Sequence, residues 1–366
     1  MWGQWIGTIA GTNKGLVSLS IDRDRPFTGR IVVGDFSPDI SSFHAKTTIK
    51  QNGDLITGEL TDFISFFPQN FPSPLPFFHG TDSLPKKGQF RGKLEGNLLR
   101  GEWNTDIETK GELIIFNKEE YLPEPHDLVM SWSKYNQWAL DEKRKNNGLI
   151  FRGHSDSNHT LQTSFHRNGR RDLIRYSIND IPELARHISA TIGRSLSTSN
   201  PEEHGELLYL AQHHGYPTPL LDWTESPHIA AYFSFQGLNK FQNHYKEDQY
   251  VRIYQFDKDL WHKKHKVVQD IHDPAPAFSA HLLNARDNKR ALPQQSVVTF
   301  SNVYNIEFFI SNYWECMDPT KYLTIIDIPK SDRNYAMKDL ETMGITASAL
   351  FPGLDGTCNA LREKQF

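Results

Sequence analysis

The sequence predicts an α+β protein of two domains: a small antiparallel β barrel or sandwich at residues 1–118, a linker at 119–127, and a mixed α/β domain at 128–366. Three observations predict this. The first third alternates short β-favouring runs with turn residues; a Pro- and acid-rich stretch, Glu119 to Asp127, interrupts the chain; beyond it, helical periodicity and strand-like runs interleave without a strict βαβ rhythm. A chain of 366 residues can bury a core in each of two domains, and 23 Phe with 8 Trp supply large side chains for them.

In the first domain the runs WIGTIAGTNKG, LVSLSID, GRIVVGDFS, AKTTIKQNGDLITGELTDF, GKLEGNLLRGEWNTD and GELIIFN read as strands and hairpins. The Asn52-Gly53 step supplies the positive φ of a tight hairpin turn. The prolines between Phe67 and Pro76 withhold ladder donors and mark a loop over one end of the sheet. Trp2, Trp5 and Trp103 are expected in the core or at its ends, the other reading being that they line a ligand mouth.

The second domain opens with a helix in VMSWSKYNQWALDEKRK and a buried strand, GLIFRG. Helical spacing returns in DIPELARHISATIGRSL and EEHGELLYLAQHHG. LLDWT follows as a short strand, then a helix capped by Ser226 with Pro227 in its first turn. YVRIYQFD, QSVVTFSN and YLTIIDIP read as strands, and SDRNYAMKDLETMG as a last helix capped by Ser331 and stopped by Gly344.

Composition excludes several classes. The net charge of -4 gives no general attraction to polyanions, so any phosphate site is local. Cys316 and Cys358 form neither a disulfide framework nor a zinc knuckle, which fits a reducing compartment. With neither a signal-like start nor a run of some twenty apolar residues, the expectation is a cytoplasmic protein without a membrane partner. Phosphate-binding P-loop, dinucleotide glycine and hydrolase-elbow motifs are lacking. Side chains of adjacent residues on a helix diverge by about 100 degrees, so His213 and His214 are not expected to grip a metal.

Phe151-Arg152-Gly153 ends a strand with a guanidinium, whose planar fork suits a phosphate, and Gly153 lets a ligand or another backbone approach. The structural reading of Arg152 is an ion pair with Asp222. Asp222, between Leu221 and Trp223, needs a partner: Arg152, His213 or the amides of Thr224 and Glu225. His166, Arg167, Arg170, Arg171 and Arg175 form a basic run that either meets successive phosphates or is a solvated face, Arg167 being placed with Arg152. Ser197-Thr198-Ser199 reads as a coincidental turn before a helix cap.

Phe151-Arg152-Gly153, Thr163 to Arg167, Ala211 to Thr218, Leu220 to Thr224, Arg290 to Phe300 and Leu350 to Gly356 together resemble the FRG domain family. The resemblance runs from about Leu149 to Arg362 and leaves the N-terminal domain outside. It invites comparison with mono-ADP-ribosyltransferases, whose first core strand also ends in aromatic-Arg-Gly and whose arginine holds the NAD pyrophosphate. The implied reading is a metal-free, NAD-binding pocket made by Arg152, Gly153, Arg167, His213, Tyr216, Thr218 and Trp223, with Asp222, Glu225 and Gln295 facing the reacting ribose. Here the chain departs from the transferase pattern, because Gln294 or Gln295 stands where an acid is expected. Glutamine can hold a ribose but cannot stabilise a positively charged transition state, and losing one such group costs on the order of 100- to 1000-fold in rate. Either Asp222 or Glu225 supplies the charge, or the domain binds a nucleotide without turning it over.

The implied partners are a nucleotide and a macromolecular acceptor, protein or nucleic acid. The alternative function is a non-catalytic binding or regulatory module in which the β domain recognises a partner. By fold-level analogy, that domain could also control a defence or toxin-like effector.

Overall fold

The computed structural model describes residues 1–35, 42–66, 84–117, 119, 123–238, 245–246, 248–265, 267–268, 274–281, 288–311 and 320–365. The Pro-rich stretch Phe67 to Pro76 and Cys316 lie outside them.

The first domain is a closed antiparallel barrel of eight strands, β1 (Gly3–Gly11), β2 (Gly15–Ile21), β3 (Thr28–Asp35), β4 (Phe43–Asn52), β5 (Leu55–Ser65), β6 (Gly88–Glu95), β7 (Leu98–Thr105) and β8 (Lys110–Asn117). Each strand pairs with the next and β1 closes on β8, so no edge is left for another chain to extend. The expected turn joins β4 to β5, with Gly53 at φ +58. Inward residues, among them Leu19, Ile56, Leu99 and Ile115, fill the barrel. Trp5 belongs to this core, Trp103 is half-buried at one end, and Trp2 is exposed.

The second domain is built on a seven-stranded sheet. Its elements are β9 (Leu128–Val129), α1 (Trp132–Lys145), β10 (Leu149–His154), α2 (Ser164–Arg167), α3 (Leu173–Arg175), α4 (Ile181–Ile192), α5 (Pro201–His213), β11 (Leu220–Thr224), α6 (Pro227–Phe235), β12 (Tyr250–Asp257), α7 (Lys258–Lys264), β13 (Phe278–His281), β14 (Ser296–Ser301), α8 (Ile306–Ser311), β15 (Leu323–Pro329), α9 (Arg333–Thr342), α10 (Ala347–Leu350) and α11 (Leu354–Gln365). The strand order is β13-β14-β11-β10-β12-β15-β9, antiparallel except for the β15–β9 pair. Helix α6 is buried almost all round, against α1 and α9 and over β10, which explains its run of alanines and aromatics.

Ser226 caps α6 as expected, its Oγ accepting from the Ile229 amide at 3.3 Å. The last expected helix starts later than its sequence suggests. Residues Lys330–Asp332 form a single 3-10 turn that contains Ser331, so α9 begins after Asp332 and Ser331 is not its cap. Gly344, at φ +80, does stop it.

The stretch 119–127 is tied down at its described residues. The Glu124 amide donates to Glu307 Oε2 at 2.9 Å and the Asp127 amide to the Ile325 carbonyl at 2.8 Å. Most of the basic run is neither a phosphate row nor a solvated face, because it clamps the barrel to the sheet domain. Arg171 is 2 % exposed and forks onto Glu119, with Nη2 to Oε2 at 2.7 Å. Arg175 binds Asp22 at 2.6 Å and Asp24 at 2.7 Å, and Asp172 takes Arg30 of β3 at 3.0 Å. Sequence alone does not show this, because the partners lie far apart along the chain: 52 positions for Arg171 and Glu119, 142 for Arg30 and Asp172, and 153 for Arg175 and Asp22.

Candidate functional site

The site forms where the sheet splits. Strands β10 and β11 share one register pair, Phe151 with Thr224, and then diverge, whereas β10 stays paired with β12 along its whole length. Arg152, one residue past Phe151, and Asp222, two residues before Thr224, therefore flank an opening. The Arg152 Nη1 bridges it by donating to the Asp222 backbone carbonyl. Asp222 is the one exposed residue of β11.

Gly153 serves a backbone approach. A Cβ there would lie 2.0 Å from the Ala230 carbonyl oxygen and 3.0 Å from Ser234 Cβ, so the glycine lets α6 lie against β10. It also lines the opening.

Two lobes meet at Arg152, Gln212 and Asp222. One, of about 390 Å³, extends past His213 and Gly153 to Phe233, Arg290, Gln294 and Phe351. The other, of about 300 Å³, runs past Ser164, Arg167, Gly215 and Tyr216. The far wall of the first lobe is aromatic: the Phe233 and Phe351 rings meet edge to face at 6.0 Å, and the Arg290 guanidinium lies 5.2 Å from the Phe351 ring centre.

The Asp222 carboxylate is not in an ion pair with Arg152, nor bonded to His213. Its Oδ1 accepts from Gln212 Nε2 at 2.8 Å. Gln212 is in turn held by the Thr218 hydroxyl, which donates to its Oε1, and the Thr218 amide donates to Ser164 Oγ at 2.9 Å. This relay links α2, the end of α5 and β11, and explains why Thr218 is fully buried: it orients Gln212 and does not line the cleft.

Asp222 opens to solvent on the cleft side, but the walls of the cleft strip enough water from its carboxyl to push it above the usual carboxylate range, against the opposing pull of the Arg152 charge and the Gln212 bond. Burial likewise lowers the pKa of Arg152 and of Arg167. Arg152 Nε donates to His154 Nε2 at 3.3 Å, which requires a neutral imidazole. Burial, reinforced by Arg152, holds His154 neutral by bringing its pKa down to about 3. Arg152 thus binds neutral acceptors and makes no side-chain salt bridge among the described residues, which leaves its charge to be answered by Asp222 at longer range or by an anion.

Of the residues singled out from the sequence, Arg152, Gly153, Arg167, His213, Tyr216 and Asp222 come together around the cleft. The backbone of Trp223 passes it, but the indole lies in the core, 3 % exposed, with Nε1 donating to Thr299 Oγ1 at 2.8 Å. Glu225 and Gln295 line neither lobe; the Glu225 amide donates to the Gln295 carbonyl at 3.0 Å, and Gln295 is exposed at φ +48. Gln294 reaches the first lobe, its Nε2 donating to the Leu350 carbonyl at 3.0 Å. His213 and His214 meet edge to face at 5.3 Å, because His214 has left helical geometry at the end of α5. Among the described residues no group of three potential ligands gathers to hold a metal, and no helix is long and apolar enough to cross a membrane.

Gln212, His154, Phe233, Arg290 and Phe351 escaped the sequence reading as site residues. For Gln212, Arg290 and Phe351 a signal existed, since each lies in a segment that carries the family resemblance. Nothing in the sequence distinguishes Phe233 from the other aromatics of its helix.

No curated protein and no solved structure matches the chain. One family model does. That of the FRG domain matches residues 147–243, which include Arg152, Arg167, Gln212 and Asp222 but neither the barrel nor the segments carrying Arg290 and Phe351, and this supports an FRG domain in that part of the chain.

Proposed function

We propose that the cleft between β10 and β11 binds a phosphate-bearing nucleotide, NAD first among them, and transfers its ADP-ribosyl group to a macromolecular acceptor. The observation that carries this reading is the lining of the two lobes, in which Arg152, Arg167 and Arg290 face one carboxylate, Asp222. An elongated, cationic, two-lobed cleft with an aromatic wall suits a ligand that has phosphates between ring systems. Arg152, already short of a carboxylate partner, is the group to hold the pyrophosphate.

NAD would supply a ribosyl carbon bearing a positively charged leaving group. In the transfer the bond from that carbon to the nicotinamide nitrogen breaks and its electron pair leaves with nicotinamide. The acceptor's nucleophile bonds to the carbon and gives up its proton. Ionised Asp222 faces the region of developing positive charge, and its raised pKa makes it a better proton acceptor than an ordinary aspartate.

The test is titration of the purified chain with NAD, followed by incubation with labelled NAD and candidate acceptors. A rise in melting temperature that Arg152→Ala removes, together with nicotinamide release, is the expected result. No stabilisation and no release would overturn the reading.

A second reading is favoured by the absence of Glu225 and Gln295 from the cleft lining, which leaves Asp222 as its one acid among the described residues. In it the nucleotide is bound but not consumed, and the barrel recognises a partner. Saturable NAD binding without nicotinamide release selects it. If the domain is instead a defence or toxin-like effector, expression should be toxic and Arg152→Ala benign.

A further inference from the structure

We propose that the end of the barrel formed by the β1–β2 and β7–β8 turns is a binding site for a small, uncharged, apolar ligand of about benzene size. The inference is independent of the nucleotide reading.

A cavity of about 110 Å³ opens there between the inward faces of the strands, lined by Ile9, Val33, Leu60, Phe90, Trp103 and Leu113 with their neighbours, and Ile107 stands exposed at its lip. Eight strands leave an interior that side chains either fill or share with one small ligand. Here the lower barrel is filled by residues such as Leu19 and Ile56, both fully buried, and among the described residues the upper end is not.

The polar groups at this mouth decide the chemistry of the occupant, because each is already engaged. Asn13 Nδ2 donates to Asp35 Oδ2 at 2.8 Å, and the Thr105 and Thr109 hydroxyls bond each other at 2.6 Å. Asn104 Oδ1 accepts from Gln89 at 3.2 Å, and Trp103 Nε1 donates to the Glu112 carbonyl at 3.2 Å, which fixes the indole as a wall. No charged side chain lines the cavity among the described residues. A charged ligand would lose its hydration with nothing to replace it, whereas an apolar one removes both its own surface and the lining from water. An enclosed apolar cavity of about 150 Å³ holds benzene, so the volume here selects a single ring or a short branched alkyl group.

The experiment follows the Trp103 indole N–H resonance, assigned by its loss in Trp103→Phe, while the full chain is titrated with benzene and, separately, with benzoate. A saturable shift with benzene and none with benzoate is expected. Leu60→Phe, which fills the cavity, should weaken the benzene response at least tenfold; if that variant does not fold, Val33→Leu fills part of the same space and replaces it. The proposal is overturned by an unresponsive wild type, by an equal response to benzoate, or by unchanged benzene affinity in a folded cavity-filling variant.

Discussion

Replacing Arg171 by Met should separate the barrel from the sheet domain. Arg171 and Glu119 are 2 % and 7 % exposed, and the guanidinium meets both carboxylate oxygens, at 2.5 Å and 2.7 Å. Its remaining Nη1 donates to the His166 and Arg170 carbonyls, both at 2.7 Å. Methionine keeps most of the stem volume but leaves Glu119 buried with, among the described residues, only the Gln4 amide, at 2.7 Å, to answer its charge. Breaking one side of a buried pair costs about 3–5 kcal/mol, more than most mutations. The loss falls on the interface, where Gln4 also bonds the Asn302 carbonyl and the Tyr304 amide, so it should divide one urea transition into two. Tryptophan fluorescence during urea unfolding measures this, and adding Glu119→Leu should recover much of the loss by removing the orphaned charge. A midpoint shift worth less than about 1 kcal/mol, with a single transition retained, would refute the clamp, because buried pairs broken on one side do not behave so.

The other predictions concern the cleft and its pH response. Gly153→Ala should lower the melting temperature sharply, since its Cβ would meet the Ala230 carbonyl at 2.0 Å and α6 would have to move; a well-folded variant with unchanged melting would contradict the packing described. Thr218→Val, nearly the same in shape, frees Gln212 and so should weaken nucleotide binding while costing about 1–3 kcal/mol of stability; calorimetry reads the first and urea unfolding the second. Asp222 has a raised pKa in the folded state, so the stability it contributes is complete below its unfolded value near 3.8 and is lost as pH rises through the folded value. Asp222→Asn should therefore flatten that part of the stability profile while abolishing transfer. His154, His44 and His281 have the opposite sign. Burial lowers them to about 3, 4 and 4, so the stability they contribute is present above pH 6.5 and is lost as pH falls toward those values; an acid titration followed by circular dichroism checks this.

The arrangement of the basic run shows how far local sequence carries. A cluster of guanidiniums announces that anions are near but not which ones, and here the answer is Asp22, Asp24 and Glu119 on other parts of the fold. Only Arg167 of that run turns to the cleft.

The sequence by itself determined the α+β class with its β-rich N-terminal part, the hairpin at Gly53 and the cap at Ser226, because periodicity and turn chemistry are properties of neighbouring residues; that Arg152 and Asp222, 70 positions apart, would share one cleft was implied only by the family resemblance. The sequence could not decide between barrel and sandwich, since strand closure depends on pairing β1 with β8 a hundred residues away. Nor could it tell that Gln212, not Arg152 or His213, would hold the Asp222 carboxylate, or that Glu225 and Gln295 would turn aside. Those outcomes hang on a sheet that parts after a single register pair, and which side chains face the gap is fixed by how strands and helices pack across it, a matter of tertiary geometry that no local pattern encodes.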